Sequence, residues 1–101
     1  IGIELPLDAN RPGPRLSATS PSPGPVHVRL ELPRRGAVEL RFCDVRGHVL
    51  HRLSMGDLPA GPHEARWDGR DEGGRPVASG VYLAVMHTPH GCASQRIVLL
   101  R

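Results

Sequence analysis

Three carboxylate side chains, Asp68, Asp71 and Glu72, lie within five residues of one another in a glycine-rich stretch. Oxygen ligands at this spacing could bind Ca²⁺. The stretch lacks the alternating ligands and the closing bidentate Glu of an EF-hand loop. Asp and Gly also build tight turns through hydrogen bonds from the backbone to the side chain. We therefore expect a loop of tight turns here, without a metal ion or another cofactor.

The histidines offer two further arrangements. His48 and His51 are three residues apart, and on a strand such residues point to opposite faces, so the pair cannot chelate one ion. His87, His90 and Cys92 cluster at a predicted hairpin and could bind a soft metal with a fourth ligand from elsewhere. Polar surface residues at a turn explain this cluster as well, and we favour that interpretation. No Ser, His and Asp form a recognisable nucleophile motif, so we expect no catalytic residues.

Cys43 and Cys92 are the only cysteines of the chain. A small extracellular β-domain often carries one disulfide, and a bridge between these two residues is one interpretation. The other is that each thiol fills a small apolar space in the core. The choice depends on whether the two Cα atoms come within disulfide range, which the sequence leaves open.

Alternation of apolar and polar residues predicts the strands that must position these side chains. Residues 26–32 alternate in this way, and residues 38–42 repeat the pattern after a turn at 33–36. A two-residue turn at 46–47 is expected to lead into a third strand over 48–53. Each of these strands has one apolar face, so each is expected to be half-buried.

The second half of the chain continues the pattern. Residues 54–62 contain two glycines and two prolines and are expected to form a longer turn before a strand that ends at Trp67. Residues 81–86 are all apolar or aromatic, which predicts a central strand covered on both faces. A last strand is expected over 93–100. About seven short strands without a helical stretch predict an all-β, antiparallel β-sandwich.

Composition narrows the class of protein. The chain has 101 residues, enough for one domain, and its 12 Gly and 11 Pro argue against long helices. All basic residues are Arg and the formal net charge is +3. Arg29 is followed by Glu31 and Glu39 by Arg41 along strand faces, a mixture that favours a solvated face over a nucleic-acid surface. We therefore expect no nucleic-acid partner.

The chain divides into residues 1–20, a Pro-rich linker or edge segment, and residues 21–101, the sandwich domain. Residues 1–7 alternate and are a candidate additional strand. No run of about 18 apolar residues occurs, so no membrane span is expected. The sequence starts at Ile1 without an initiator Met, which favours a piece of a larger protein.

Residues 58–82, LPAGPHEARWDGRDEGGRPVASGVY, carry a recognisable pattern. They resemble the signature of the Ig-like domain named after the flagellar hook-capping protein, and the resemblance extends over about residues 20–101. The signature residues are Trp67, Asp68, Gly69, Asp71, Gly74, Gly80 and Tyr82. Gly69 and Gly80 lie at the ends of the loop, and we expect at least one of them to have a positive φ.

The resemblance implies an Ig-like, fibronectin III-like sandwich that is not an enzyme. It further implies a C-terminal module of an exported bacterial protein, related to the sorting domains of type IX secretion, at the cell surface or outside the cell. Its partners would be secretion or anchoring proteins. The alternative is a structural subunit or domain of an extracellular filament or surface layer, assembled by strand exchange with neighbouring subunits. Carbohydrate binding is a third interpretation with less support. Phe42, Trp67 and Tyr82 are all needed for the core, which leaves no aromatic platform for a sugar.

Overall fold

A computed structural model describes residues 13–19 and 25–100 and contains two antiparallel sheets. The three-stranded sheet has the order β1-β2-β5 and the four-stranded sheet the order β4-β3-β6-β7. This arrangement confirms the predicted Ig-like β-sandwich of seven strands. The strands are β1 (Arg15–Ala18), β2 (Val26–Leu32), β3 (Gly36–Asp44), β4 (Val49–Leu58), β5 (Gly61–Trp67), β6 (Gly80–Thr88) and β7 (Gly91–Leu99).

The core lies between the two sheets and follows the alternation of the sequence. In β2 every second residue is buried, because the strand presents one face to the opposite sheet. Each fully buried aliphatic or aromatic side chain stabilises the fold by about 1.5 to 3 kcal/mol. The buried core side chains are Val26, Val28, Leu30, Leu32, Val38, Leu40, Phe42, Trp67, Tyr82, Ala84, Met86, Ile97 and Leu99.

Strand β6 is covered on one face, and the prediction that both faces are covered is wrong. Tyr82, Ala84 and Met86 are buried against the other sheet. The side chains between them, from Val81 to Val85, are only half-buried. A two-layer sandwich has no third layer to cover its outer faces, so the continuous apolar run of β6 exceeds what the core requires.

Strand β4 is longer than predicted and runs through most of the stretch expected to be a turn. Its register against β3 shifts between Val38 and Glu39, where Gly56 and Ser54 are the partners and Met55 is left unpaired. Gly56 has a φ of +74°. This β-bulge absorbs the extra residue, so the strand continues to Leu58.

Residues 45–48 connect β3 to β4 in place of the predicted two-residue turn. The Asp44 N–H donates to the His48 carbonyl at 3.0 Å, and the Gly47 N–H donates to the Asp44 carbonyl at 3.0 Å. The Asp44 carboxylate accepts from the backbone N–H groups of His48 and Arg46. The hydrogen bond from His48 is the main cause of a lowered pKa at Asp44.

Strand β1 lies within the segment that the sequence assigns to a linker or an edge. It pairs antiparallel with β2, with Leu16 opposite Leu30, at one edge of the three-stranded sheet, and it contacts β7 of the other sheet. The boundary at residue 20 stays a prediction. The candidate strand over residues 1–7 lies outside the described residues.

Candidate functional site

The signature residues surround the loop at 68–79, which connects β5 in one sheet to β6 in the other. Trp67, the last residue of β5, is 1% exposed and stacks on Phe42 with ring centroids 4.7 Å apart and an interplanar angle of 13°. Tyr82 meets the indole edge-on at 5.8 Å. The indole Nε1 donates to the Arg70 carbonyl at 2.9 Å. Trp67 therefore ties the start of the loop to the core.

The two signature carboxylates organise the turns of this loop. Asp68 Oδ1 accepts from the Arg70 N–H at 3.1 Å. Asp71 Oδ1 accepts from the N–H groups of Gly73 and Arg75 at 2.9 and 3.0 Å. Both aspartates thus bind backbone donors two or four residues further along, as in Asx-turns. This is the turn-building role that the sequence favoured over metal binding.

Glycines allow the backbone to complete these turns. Gly69 and Gly74 have φ of +75° and +80°, a region that side chains with a Cβ avoid. The Gly69 carbonyl accepts from the Val77 N–H at 2.9 Å, which closes the loop across its base. The expectation that Gly69 or Gly80 has a positive φ is confirmed, since φ is +75° at Gly69 and +158° at Gly80.

Tyr82 closes the other end of the loop. Its ring is buried and its hydroxyl donates to the Ala78 carbonyl, four residues upstream. This is the tyrosine corner found at the equivalent position of Ig-like sandwiches. Trp67 and Tyr82 thus each make one hydrogen bond that fixes one end of the loop, and both rings are buried in the core. The signature block builds the link between the two sheets.

Glu72 connects the loop to the four-stranded sheet, a role that the sequence gave no signal for. Its Oε1 accepts from the backbone N–H of Arg52 on β4 at 3.0 Å. Its Oε2 lies 3.7 Å from Nδ1 of His51, whose ring stacks on Phe42. Because β4 is an edge strand, Glu72 satisfies a backbone donor that an added strand would otherwise pair with.

The histidine and cysteine cluster is only partly assembled. Cys92 Sγ lies 3.4 Å from His87 Nδ1 across the β6–β7 pair. His90 is turned away, with Nε2 3.2 Å from the Arg35 carbonyl. In residues 13–19 and 25–100, no three His, Cys, Asp or Glu side chains are grouped so that they could hold a metal ion.

The disulfide considered from the sequence is not formed, and Cys43 and Cys92 are free thiols. Cys43 lies on β3 and Cys92 on β7, with β6 between them. Neighbouring strands are about 4.8 Å apart, so these two strands are separated by about 10 Å, beyond the roughly 7 Å that a disulfide can span. Cys43 is buried, and desolvation raises the pKa of its thiol.

Comparison with known families agrees with this geometry. The model of the FlgD Ig-like domain matches residues 13–90, more than half of the chain. This chain belongs to the FlgD Ig-like domain family. Among curated proteins, none matches the sequence.

Solved structures contain the same fold. The FlgD structure from P. aeruginosa is similar to this domain, with a TM-score of 0.62 and 25% sequence identity. The match covers 71% of this chain and 58% of the FlgD chain. Dimeric latent PorU from Porphyromonas gingivalis has a TM-score of 0.65 at 16% identity, over 90% of this chain and 10% of PorU. PorZ, described as an essential bacterial surface component of the type IX secretion system of the same organism, has a TM-score of 0.54 at 22% identity, over 88% of this chain and 12% of PorZ.

None of the described residues belongs to a helix that is long and apolar enough to cross a membrane.

Proposed function

We propose that this FlgD-type Ig-like domain is a non-catalytic module of an exported bacterial protein that serves sorting, surface anchoring or assembly through protein contacts. The proposal includes a C-terminal position in the parent protein and a location outside the cell or at its surface. It assigns no substrate and no cofactor to the domain.

The observation that carries the proposal is how the signature block is used. Asp68, Asp71, Trp67 and Tyr82 all direct their polar atoms to backbone groups of the same loop. The signature residues therefore stabilise a scaffold, and their polar atoms do not converge on a common point where chemistry could take place. In PorU and PorZ the same fold covers only 10% and 12% of the chain, which favours a module attached to larger proteins.

The proposal is tested by fusing the full chain to the C-terminus of an inert reporter in Porphyromonas gingivalis. We expect the reporter at the cell surface or in the medium of the parent strain, and inside the cells of a strain that lacks PorZ. The reporter without the chain is the control. Retention inside the parent strain would contradict a sorting role.

Deleting the last strand is not a suitable control for this experiment. Residues 94–101 include Ile97 and Leu99, which are 0% and 2% exposed and belong to the core. The deletion would unfold the domain, and loss of export would then have no specific meaning. The PorZ-deficient strain lacks a component of the secretion system and leaves the domain intact.

The second candidate is a structural subunit that exchanges strands with its neighbours. It is supported by β1, which pairs with β2 over four residue pairs at a sheet edge. Exchange of this strand between subunits would leave the order of the other strands unchanged. Sedimentation velocity should then show oligomers that Leu16→Asp dissociates and that Ser17→Asp, on the exposed side of β1 and opposite Arg29, preserves. A monomer at all concentrations would exclude this candidate.

A further inference from the structure

The outer face of the four-stranded sheet has an unusual composition. Residues paired directly across antiparallel strands place their side chains on the same face, so the register assigns this surface. Cys43 is paired with Val49 on one side and Leu83 on the other, and Val81 with Val98. We call the following set the outer patch: Cys43, Val49, Val81, Leu83, Val85 and Val98, with Arg41, Arg52 and Arg96 among them.

A solvated face is mainly polar, whereas the outer patch contains five aliphatic side chains. They are half-buried, although no layer of the described chain covers them, and Cys43 is 8% exposed. Val45 and Leu100, at the same end of the sheet, are 68% and 46% exposed. Contiguous apolar surface of this kind on a soluble domain marks an interaction site. It also explains why β6 is apolar on both faces.

The arginines of the outer patch lie close to one another, and electrostatic repulsion between them is unfavourable. Arg41 lies directly opposite Arg52 on the neighbouring strand, a like-charge pair that destabilises a sheet. The described register adds two carboxylates to this face: Glu39 pairs with Arg41, whose hydrogen bond is the main cause of a lowered pKa at Glu39, and Asp57, opposite Ala37, pairs with Arg35. Among the described residues neither Arg52 nor Arg96 forms an ion pair. The patch therefore retains excess positive charge.

The outer face of the other sheet provides an internal comparison. There Arg29 lies opposite Glu64 and Arg15 opposite Glu31, so opposite charges face each other. Its described side chains include no Val, Leu, Ile or Met. This is the solvated face that alternating charge predicts, whereas Glu39 and Arg41 on the other sheet lie beside aliphatic side chains. The two outer faces of one domain thus differ in polarity and in how their charges are paired across the strands.

We propose that the outer patch docks a partner protein whose contact surface consists of aliphatic side chains bordered by carboxylates. The inference rests on the proposed function as a protein-interaction module and identifies its surface. Aliphatic contacts would cover Val81 and Leu83, and the partner's Asp or Glu would pair with Arg52 and Arg96 in charge-assisted hydrogen bonds. Opposite charge across such a rim accelerates association and selects the partner.

Two other occupants fit the patch less well. A second copy docked face to face would bring a further set of three arginines against the first, and the resulting repulsion opposes self-association. An anionic membrane would be expected to meet aromatic side chains that reach into the lipid interface. The single Phe, Trp and Tyr of the sequence are all in the core, and the aliphatic side chains of the outer patch are half-buried.

The proposal is tested by NMR titration of the ¹⁵N-labelled full chain with two synthetic peptides. One peptide carries four aliphatic residues flanked by Glu pairs, and the other has Lys in place of Glu. We expect the acidic peptide to shift amide signals of β3, β6 and β7 and to bind about tenfold or more tightly than the Lys peptide, a difference of about 1.4 kcal/mol.

Substitutions locate the binding surface. The double variant Arg52→Glu and Arg96→Glu should weaken binding of the acidic peptide by about tenfold or more. Arg29→Glu, on the opposite face, is the matched control and should leave the affinity unchanged. Leu83→Thr should also weaken binding, because it replaces an aliphatic contact with a residue that strands accommodate. The substituted side chains lie outside the core cluster, so the spectra should show that each variant remains folded.

Several results would overturn the proposal. These are no shifts at the highest soluble peptide concentration, equal affinity for both peptides, shifts confined to the three-stranded sheet, or an unchanged affinity in the double variant. Flotation of the chain with phosphatidylserine vesicles, without peptide binding, would assign the patch to a membrane instead. Failure of reporter export with intact peptide binding would remove the sorting role and leave the docking surface in place.

Discussion

Replacing Trp67 with Ala should remove a large part of the stability of this domain. The side chain is 1% exposed and is the largest in the core, so truncation costs about 3 to 5 kcal/mol through lost burial and the cavity left behind. Loss of the stacking on Phe42 and of the hydrogen bond to the Arg70 carbonyl contributes to the same change. A domain of this size has a free energy of unfolding of about 5 to 15 kcal/mol, so the variant is expected to be marginally folded.

Urea unfolding followed by far-UV circular dichroism measures this change, since the variant has no tryptophan fluorescence. Trp67→Phe is the matched control: it keeps an aromatic ring against Phe42 and loses the Nε1 hydrogen bond, so it should cost less than the Ala variant. A loss below about 1 kcal/mol for Trp67→Ala would refute the argument, because surface substitutions fall in that range.

Three further predictions concern the turns and the thiols. Gly69→Ala should destabilise the domain by about 1 to 2 kcal/mol, since its φ is +75°, whereas Gly73→Ala in the same loop should be nearly neutral; thermal melts compare them. Cys92 should react with a thiol reagent in the native state, and Cys43 only after denaturation, as mass spectrometry would show. Asp44 has a pKa below its usual 3.8, so its contribution to the free energy of unfolding is complete above about pH 4. This contribution is lost as the pH falls through the lowered pKa of the folded state. The difference in Tm between the parent and Asp44→Asn should therefore become smaller at acidic pH.

The local pattern of the sequence was sufficient for the elements whose alternation is uninterrupted. Strands β2, β5 and the first half of β3 follow directly from their apolar spacing, because a period of two requires one buried face. The turn-building role of Asp68 and Asp71 also followed from residue type, since these side chains bind backbone donors only a few residues away. The signature residues carried the family resemblance that residues 13–90 confirm.

Features that depend on contacts between distant residues were decided by the tertiary structure. The bulge at Met55 extends β4 because β3 lies beside it, and β1 becomes a strand because β2 offers it an edge. Glu72 caps β4 from a position 20 residues away along the chain.

The same limit applies to the surfaces. The sequence shows Arg41 and Arg52 as separate residues in separate strands, and the spacing of Cys43 and Cys92 says nothing of the strand between them. Periodicity gives the face of a side chain within its own strand, whereas register decides which side chains share that face. Register is set by pairing across the sheet, so the contrast between the two outer faces exists only in the folded domain.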